Sequence, residues 1–101
     1  MDITKLMKQA KEMQNNLQKV DVELNNTEYS GNSNEMVTCV LKGNNELVSI
    51  DIKEEMLTND NKDVLQDMIC LAVNQAVEKA KKEREEKMNS LTAGVNIPGI
   101  R

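Results

Sequence analysis

Seven apolar residues near the start of the chain, Ile3, Leu6, Ala10, Met13, Leu17, Val20 and Leu24, recur at alternating intervals of three and four. A strand cannot use that spacing, because its side chains change face at every residue. A helix gathers all seven into one stripe, with the mean period of 3.5 that suits packing along another helix. A helix is therefore expected from Ile3 to Leu24, stopping at Asn25-Asn26. At about 100° per residue, Lys5, Lys8, Lys11 and Lys19 fall on the side opposite the stripe.

The period then changes to two. Met36–Lys42 and Glu46–Ile52 read as strands flanking Asn44-Asn45, residues that tolerate the positive φ of a tight turn. A two-residue turn would set Val37 opposite Ile52, Cys39 opposite Ile50 and Leu41 opposite Val48, with all six on one face. A shorter strand at Thr27–Ser30, ending at Gly31, would complete an antiparallel meander. Lys53–Leu57 reads as a connecting turn. A second long helix follows, capped by Asn59, Asp60 or Asn61 and apolar along Leu65, Met68, Ile69, Ala72, Val73, Ala76 and Ala80. Beyond Ala80 the stripe passes to Glu83, Arg84 and Lys87, so this end is expected to leave the core as a charged projection. Glu78–Lys82 and Glu83–Lys87 are spaced to support an exposed helix. Gly94 is a natural stop and Pro98 prevents resumption.

The expected fold class is α+β, in the order α-β-β-β-α, with a small antiparallel sheet and two long helices in one domain over residues 1–101. Its final segment, 94–101, reads as a flexible tail. The chain has 101 residues, no Phe or Trp, and Tyr29 as its one aromatic. A core so poor in rings, in so short a chain, points to self-association. No window approaches the roughly 20 apolar residues of a membrane span, and the polar helical start argues against a signal peptide. Cys39 and Cys70 sit among apolar neighbours and read as reduced core cysteines rather than a metal or redox pair.

Net charge is −4, which does not favour a polyanion as partner, but its distribution is uneven. Residues 3–20 carry +3, residues 21–60 carry −7 and residues 79–87 carry +2. Local fields rather than net charge decide where a polyanion docks. Lys5, Lys8 and Lys11 sit in the first turns, where the helix dipole disfavours cations, so helix stability does not account for them. Solvated helix faces remain the simplest reading of the 79–87 run. With no histidine, no phosphate-binding glycine loop and only divergent carboxylate pairs, neither catalysis nor a cofactor or metal site is expected.

Several stretches, taken in order, resemble the YbaB/EbfC family of bacterial nucleoid-associated proteins. They are residues 6–14 (LMKQAKEMQ), 49–52 (SIDI), 65–68 (LQDM), 73–76 (VNQA), 86–94 (EKMNSLTAG) and 97–99 (IPG). The chain departs from that family at Gly31–Glu35, glycine-rich in many relatives, and at Ile52-Lys53, where a proline is frequent. The resemblance implies a tweezers-like homodimer in the cytoplasm and nucleoid that binds double-stranded DNA with little sequence preference. Lys5, Lys8, Lys11, Lys79, Lys82, Arg84 and Lys87 would be its phosphate contacts. The rival expectation is a dimeric adaptor for replication or recombination proteins, using the helical arms and the apolar tail residues Val95, Ile97 and Ile100.

Overall fold

The computed structural model describes residues 2–92. Helix α1, Ile3–Asn26, starts where the Asp2 carboxylate accepts a hydrogen bond from the Thr4 backbone N–H at 3.1 Å. It stops at the expected asparagines. The Asn26 side chain donates to the Val22 carbonyl at 2.9 Å, the Thr27 hydroxyl donates to the Glu23 carbonyl at 2.6 Å, and Thr27 N–H bonds the Leu24 carbonyl. Side chains and a tight last turn thus satisfy carbonyls that the helix leaves open.

Three strands follow as an antiparallel meander, β1 Glu28–Ser33, β2 Val37–Lys42 and β3 Leu47–Ile52, in the order β1-β2-β3. Strand β1 does not end near Gly31 but continues to Ser33, opposite Val37. Val37–Ile52 and Cys39–Ile50 pair as expected, whereas Leu41 faces Leu47 and not Val48. The reason lies in the turn. Asn45 N–H bonds the Lys42 carbonyl at 2.8 Å and Lys42 N–H bonds Glu46, so the loop has three residues, Gly43 to Asn45, with Asn45 at φ 71°. A loop with one residue more than a two-residue turn shifts the register, and Val48 becomes the extra residue of a bulge.

A short 3₁₀ turn, Glu54–Met56, buries Met56, and a second, Asn59–Asn61, runs straight into α2, Lys62–Thr92. No side chain of Asn59, Asp60 or Asn61 caps this helix; they form the tighter turn that leads into it. The expected stop at Gly94 lies outside the described residues.

Helix α2 lies across β1 and β2. Ala72, Ala76 and Ala80 pack on Tyr29, Val37, Cys39 and Leu41, with Leu65, Met68, Ile69, Val73 and Val77 around them. Small residues set the spacing. A Cβ built on Gly31 would stand 2.0 Å from the Ala72 carbonyl oxygen, so strand and helix backbones touch there. Gly43 does the same against the Leu24 carbonyl, at 1.9 Å, and seats the end of α1 on the hairpin. These two glycines are needed for close approach.

Cys39 is fully buried, but Cys70 is exposed on the outer side of α2. Its apolar neighbours Ile69 and Leu71 suggested a core position. At about 100° per residue, however, position 70 points away from the Ala72–Ala76–Ala80 line. Both cysteines are free thiols.

Candidate nucleic-acid interface

The stripe of α1 meets two fates. Leu24 is buried and Met13, Leu17 and Val20 are half-buried where α1 turns back along α2. Residues 2–12 are exposed throughout, Ile3 and Leu6 included, so this half of the helix stands clear as an arm. Lys5, Lys8 and Lys11 are on it, and none has an ion-pair partner among the described residues. Lys19, exposed on the same side of α1, adds to them. Its position opposite the stripe was visible in the sequence.

On α2, Lys79 and Lys82 are exposed and unpaired among the described residues. With Gln75, Glu78, Lys81 and Glu85 they line one open surface hollow of about 460 Å³. Lys81 was absent from the residues singled out by sequence, yet it shares this surface; its membership of a three-lysine group was the available signal. No ion pair joins Glu78 to Lys82 among the described residues. Glu83 does approach Lys87, at 3.8 Å, and takes up part of that cation's field.

Arg84 is placed differently from the lysines. Its Nη1 donates to Asp21 Oδ1 at 2.5 Å and its Nη2 to Asn25 Oδ1 at 2.6 Å, both on α1. The end of α2 therefore leaves the sheet but not the protein: Arg84, Met88 and Leu91 are half-buried. The expected charged projection is in part a helix–helix contact.

Tyr29 lies beneath the same stretch. Its hydroxyl is buried without a hydrogen-bond partner of normal geometry. Burial, reinforced by the nearby Glu83 carboxylate, pushes its pKa up to about 12. The single aromatic ring is thus a core residue, neutral at ordinary pH and withdrawn from any base that could stack on it.

A second surface is mainly apolar. Because α2 covers β1 and β2, the β3 side is open: Leu47, Val48 and Ile50 are 46%, 47% and 40% exposed. The six hairpin residues expected on one buried face therefore divide, with Val37, Cys39 and Leu41 covered and the β3 residues largely not. The described residues contain no cluster of His, Cys, Asp or Glu suited to a metal ion, and no helix long and apolar enough to cross a membrane.

Comparison with known proteins bears on the family and the fold. Residues 1–95 match the model of the YbaB/EbfC DNA-binding family. A Clostridium novyi (strain NT) protein named as nucleoid-associated is 40% identical over 101 residues, covering 99% of this chain and 89% of its own. A nucleoid-associated protein of Pelotomaculum thermopropionicum is also 40% identical, over 98% of this chain and 95% of its own. Among solved structures, an uncharacterized Helicobacter pylori protein superposes with a TM-score of 0.73. It is 21% identical, covering 90% of this chain and 97% of that one, and so supports the fold alone.

Proposed function

The chain belongs to the YbaB/EbfC DNA-binding family, and from that premise we propose that it acts as a homodimeric nucleoid-associated protein holding double-stranded DNA by its phosphates. The observation that carries this reading is the free cationic surface of the helices. Lys5, Lys8, Lys11 and Lys19 on α1, and Lys79, Lys81 and Lys82 on α2, are exposed and without ion pairs among the described residues. Lysine ammonium groups are point charges that favour phosphate over any particular base edge. Lys87, partly neutralised by Glu83, adds less.

Little sequence preference follows from what the surface lacks. Of two arginines, Arg84 is committed to Asp21 and Asn25, and Arg101 lies outside the described residues. Among the described residues, bidentate base readout has no free guanidinium, and stacking has no exposed ring. The protomer measures 71 Å along its longest axis. That length matches about two turns of duplex at about 34 Å each, room for several phosphate contacts.

The partner we propose for the open β3 side is a second copy. An unpaired apolar edge in a chain with few large core residues is a liability unless covered. Joining two protomers there would leave the α1 arm of each free for DNA, the tweezers form that the resemblance implies. Cytoplasmic and nucleoid location belong to the same proposal.

Neutralising Lys5, Lys8 and Lys11 to Gln tests it. Affinity for random duplex DNA should fall about equally for all sequences, and the slope of log affinity against log salt should drop by about 0.9 per lost contact. The helix should survive, because Gln is nearly as good a helix former as Lys. Lys79, Lys81 and Lys82 test the other helix alike. Wild-type binding that ignores salt, or survives both sets of changes, would defeat the phosphate mechanism. A protein partner lost on truncation at Gly94 would then favour the adaptor.

A further inference from the structure

The root of α1 is held by more than packing. Arg84 reaches across from α2 to Asp21 Oδ1 and Asn25 Oδ1, and Asn25 Nδ2 donates back to Asp21 Oδ2 at 3.4 Å, closing a ring. Asp21 and Asn25 are one turn apart and flank Leu24, which is buried. A planar guanidinium that engages two acceptors on one helix restrains that helix in rotation as well as in distance. Toward the N-terminus only Met13, Leu17 and Val20 are half-buried, and residues 2–12 are exposed. The direction of the lysine face is therefore set at the root. From Ile3 to Asp21 the arm is about 28 Å long, so a 10° rotation at the root displaces its tip by about 5 Å.

We propose that Arg84 is a positioning residue for the α1 arm and not a phosphate contact. It braces α1 against α2 so that Lys5, Lys8 and Lys11 meet the duplex together. This rests on the DNA reading above, but it makes a separate claim. A phosphate approaching Arg84 would meet the Asp21 carboxylate, which already holds the guanidinium at 2.5 Å and takes up part of its charge.

The opposing roles predict opposite signs for one substitution. Asp21→Asn removes a negative charge, so if Arg84 bound phosphate, this change would strengthen DNA binding and steepen its salt dependence. As part of a brace, the same change weakens binding. The full-length protein would be titrated with random-sequence duplex over a range of salt. Arg84→Gln and Asp21→Asn should each lower affinity by about three- to tenfold, the usual worth of a partly exposed charged hydrogen bond, and leave the salt slope unchanged. Lys82→Gln, in contrast, should lower the slope by about 0.9.

Hydrogen exchange supplies the readout that a phosphate contact would not move. Without DNA, amides of residues 3–20 should exchange faster in Arg84→Gln and Asp21→Asn, and at the wild-type rate in Lys82→Gln. Protection of residues 72–80 reports whether the core still folds. If that protection is lost in a single variant, the swapped pair Asp21→Arg with Arg84→Asp decides, and recovery of both α1 protection and affinity supports the brace. Tighter binding by Asp21→Asn overturns the proposal. So does a slope lowered by about 0.9 in Arg84→Gln with α1 exchange unchanged. Failure of the DNA reading would look different: wild-type binding would ignore salt while the exchange result still reported on the brace.

Discussion

Along β1 the exposed residues are Glu28, Ser30 and Asn32, whereas along β3 they include Leu47, Val48 and Ile50. The polar edge strand is also the guarded one. Helix α2 presses directly on Gly31, and the Gln75 side-chain oxygen accepts the Asn32 backbone N–H at 2.8 Å, so part of this edge is already satisfied. The apolar edge strand lacks a helix above it. Proteins ordinarily blunt an edge with charge, bulges or cover. Here β1 has cover and polarity, while β3 has a bulge at Val48 and a single charge, Asp51, beside its exposed apolar residues. The difference teaches that one side of the sheet closes the protomer and the other stays open, which is where we propose that a second copy docks.

The guarded side should break most severely. In Gly31→Ala the new methyl would overlap the Ala72 carbonyl, which is backbone and cannot swing aside. Helix α2 would have to lift from β1, at a cost of about 3 kcal/mol or more, above the usual range for overpacking against movable side chains. Urea denaturation would measure it, and wild-type stability would show that the two backbones are not in contact.

The open side should respond in mass rather than in fold. Ile50→Lys places a charge where a single protomer is already 40% exposed, so secondary structure should persist. A proposed dimer interface would instead have to bury an unpaired ammonium, which is strongly disfavoured. Sedimentation should show a monomer at micromolar concentration, whereas Asn32→Lys on the other edge should leave the mass unchanged. A dimeric Ile50→Lys variant would move the interface away from β3.

Tyr29 offers a smaller probe of the guarded side. Its pKa is raised by burial, then by Glu83, from an ordinary 10 to about 12. A raised folded-state pKa means that its stabilising contribution is complete below pH 10 and declines as pH rises toward 12. Thermal stability should therefore fall across that window, and the Tyr29→Phe variant should lose that part of the fall. At neutral pH the same variant should be as stable as wild type or better by up to about 1 kcal/mol, since an unpartnered buried hydroxyl is removed.

The smallest effect is expected at the turn leading out of β1. Asn34 and Glu35 adopt φ of 50° and 61°. Asparagine tolerates this region and glutamate does so poorly. Glu35→Gly should raise the melting free energy by up to about 1 kcal/mol, less the entropy that glycine adds to the unfolded chain. The corresponding turn between β2 and β3 places Asn45 at its positive φ and should gain nothing from glycine beyond a few tenths of a kcal/mol.

The residues alone determined whatever depends on local period and turn chemistry. The 3-4 spacing from Ile3 to Leu24 specified a helix and its lysine face, alternation specified the hairpin strands, and Asn25-Asn26 marked the first stop. The ordered segments from Leu6 to Gly99 pointed to the family. Other features depended on which atoms meet across the fold. The three-residue turn moved Leu41 from Val48 to Leu47, because alternation sets the register away from the turn but not the loop length, and a bulge at Val48 takes up the added residue. Cys70 proved exposed because the line Ala72–Ala76–Ala80, and not the apolar neighbours in sequence, sets the buried side of α2. Arg84 looked like one more cation in a basic run. Only the return of α1 along α2 brought Asp21 and Asn25 to it, joining residues 59 and 63 positions apart. Charge can be counted along a chain, but a partner at that separation is chosen by tertiary packing, and that choice decides which cations are left exposed at the surface.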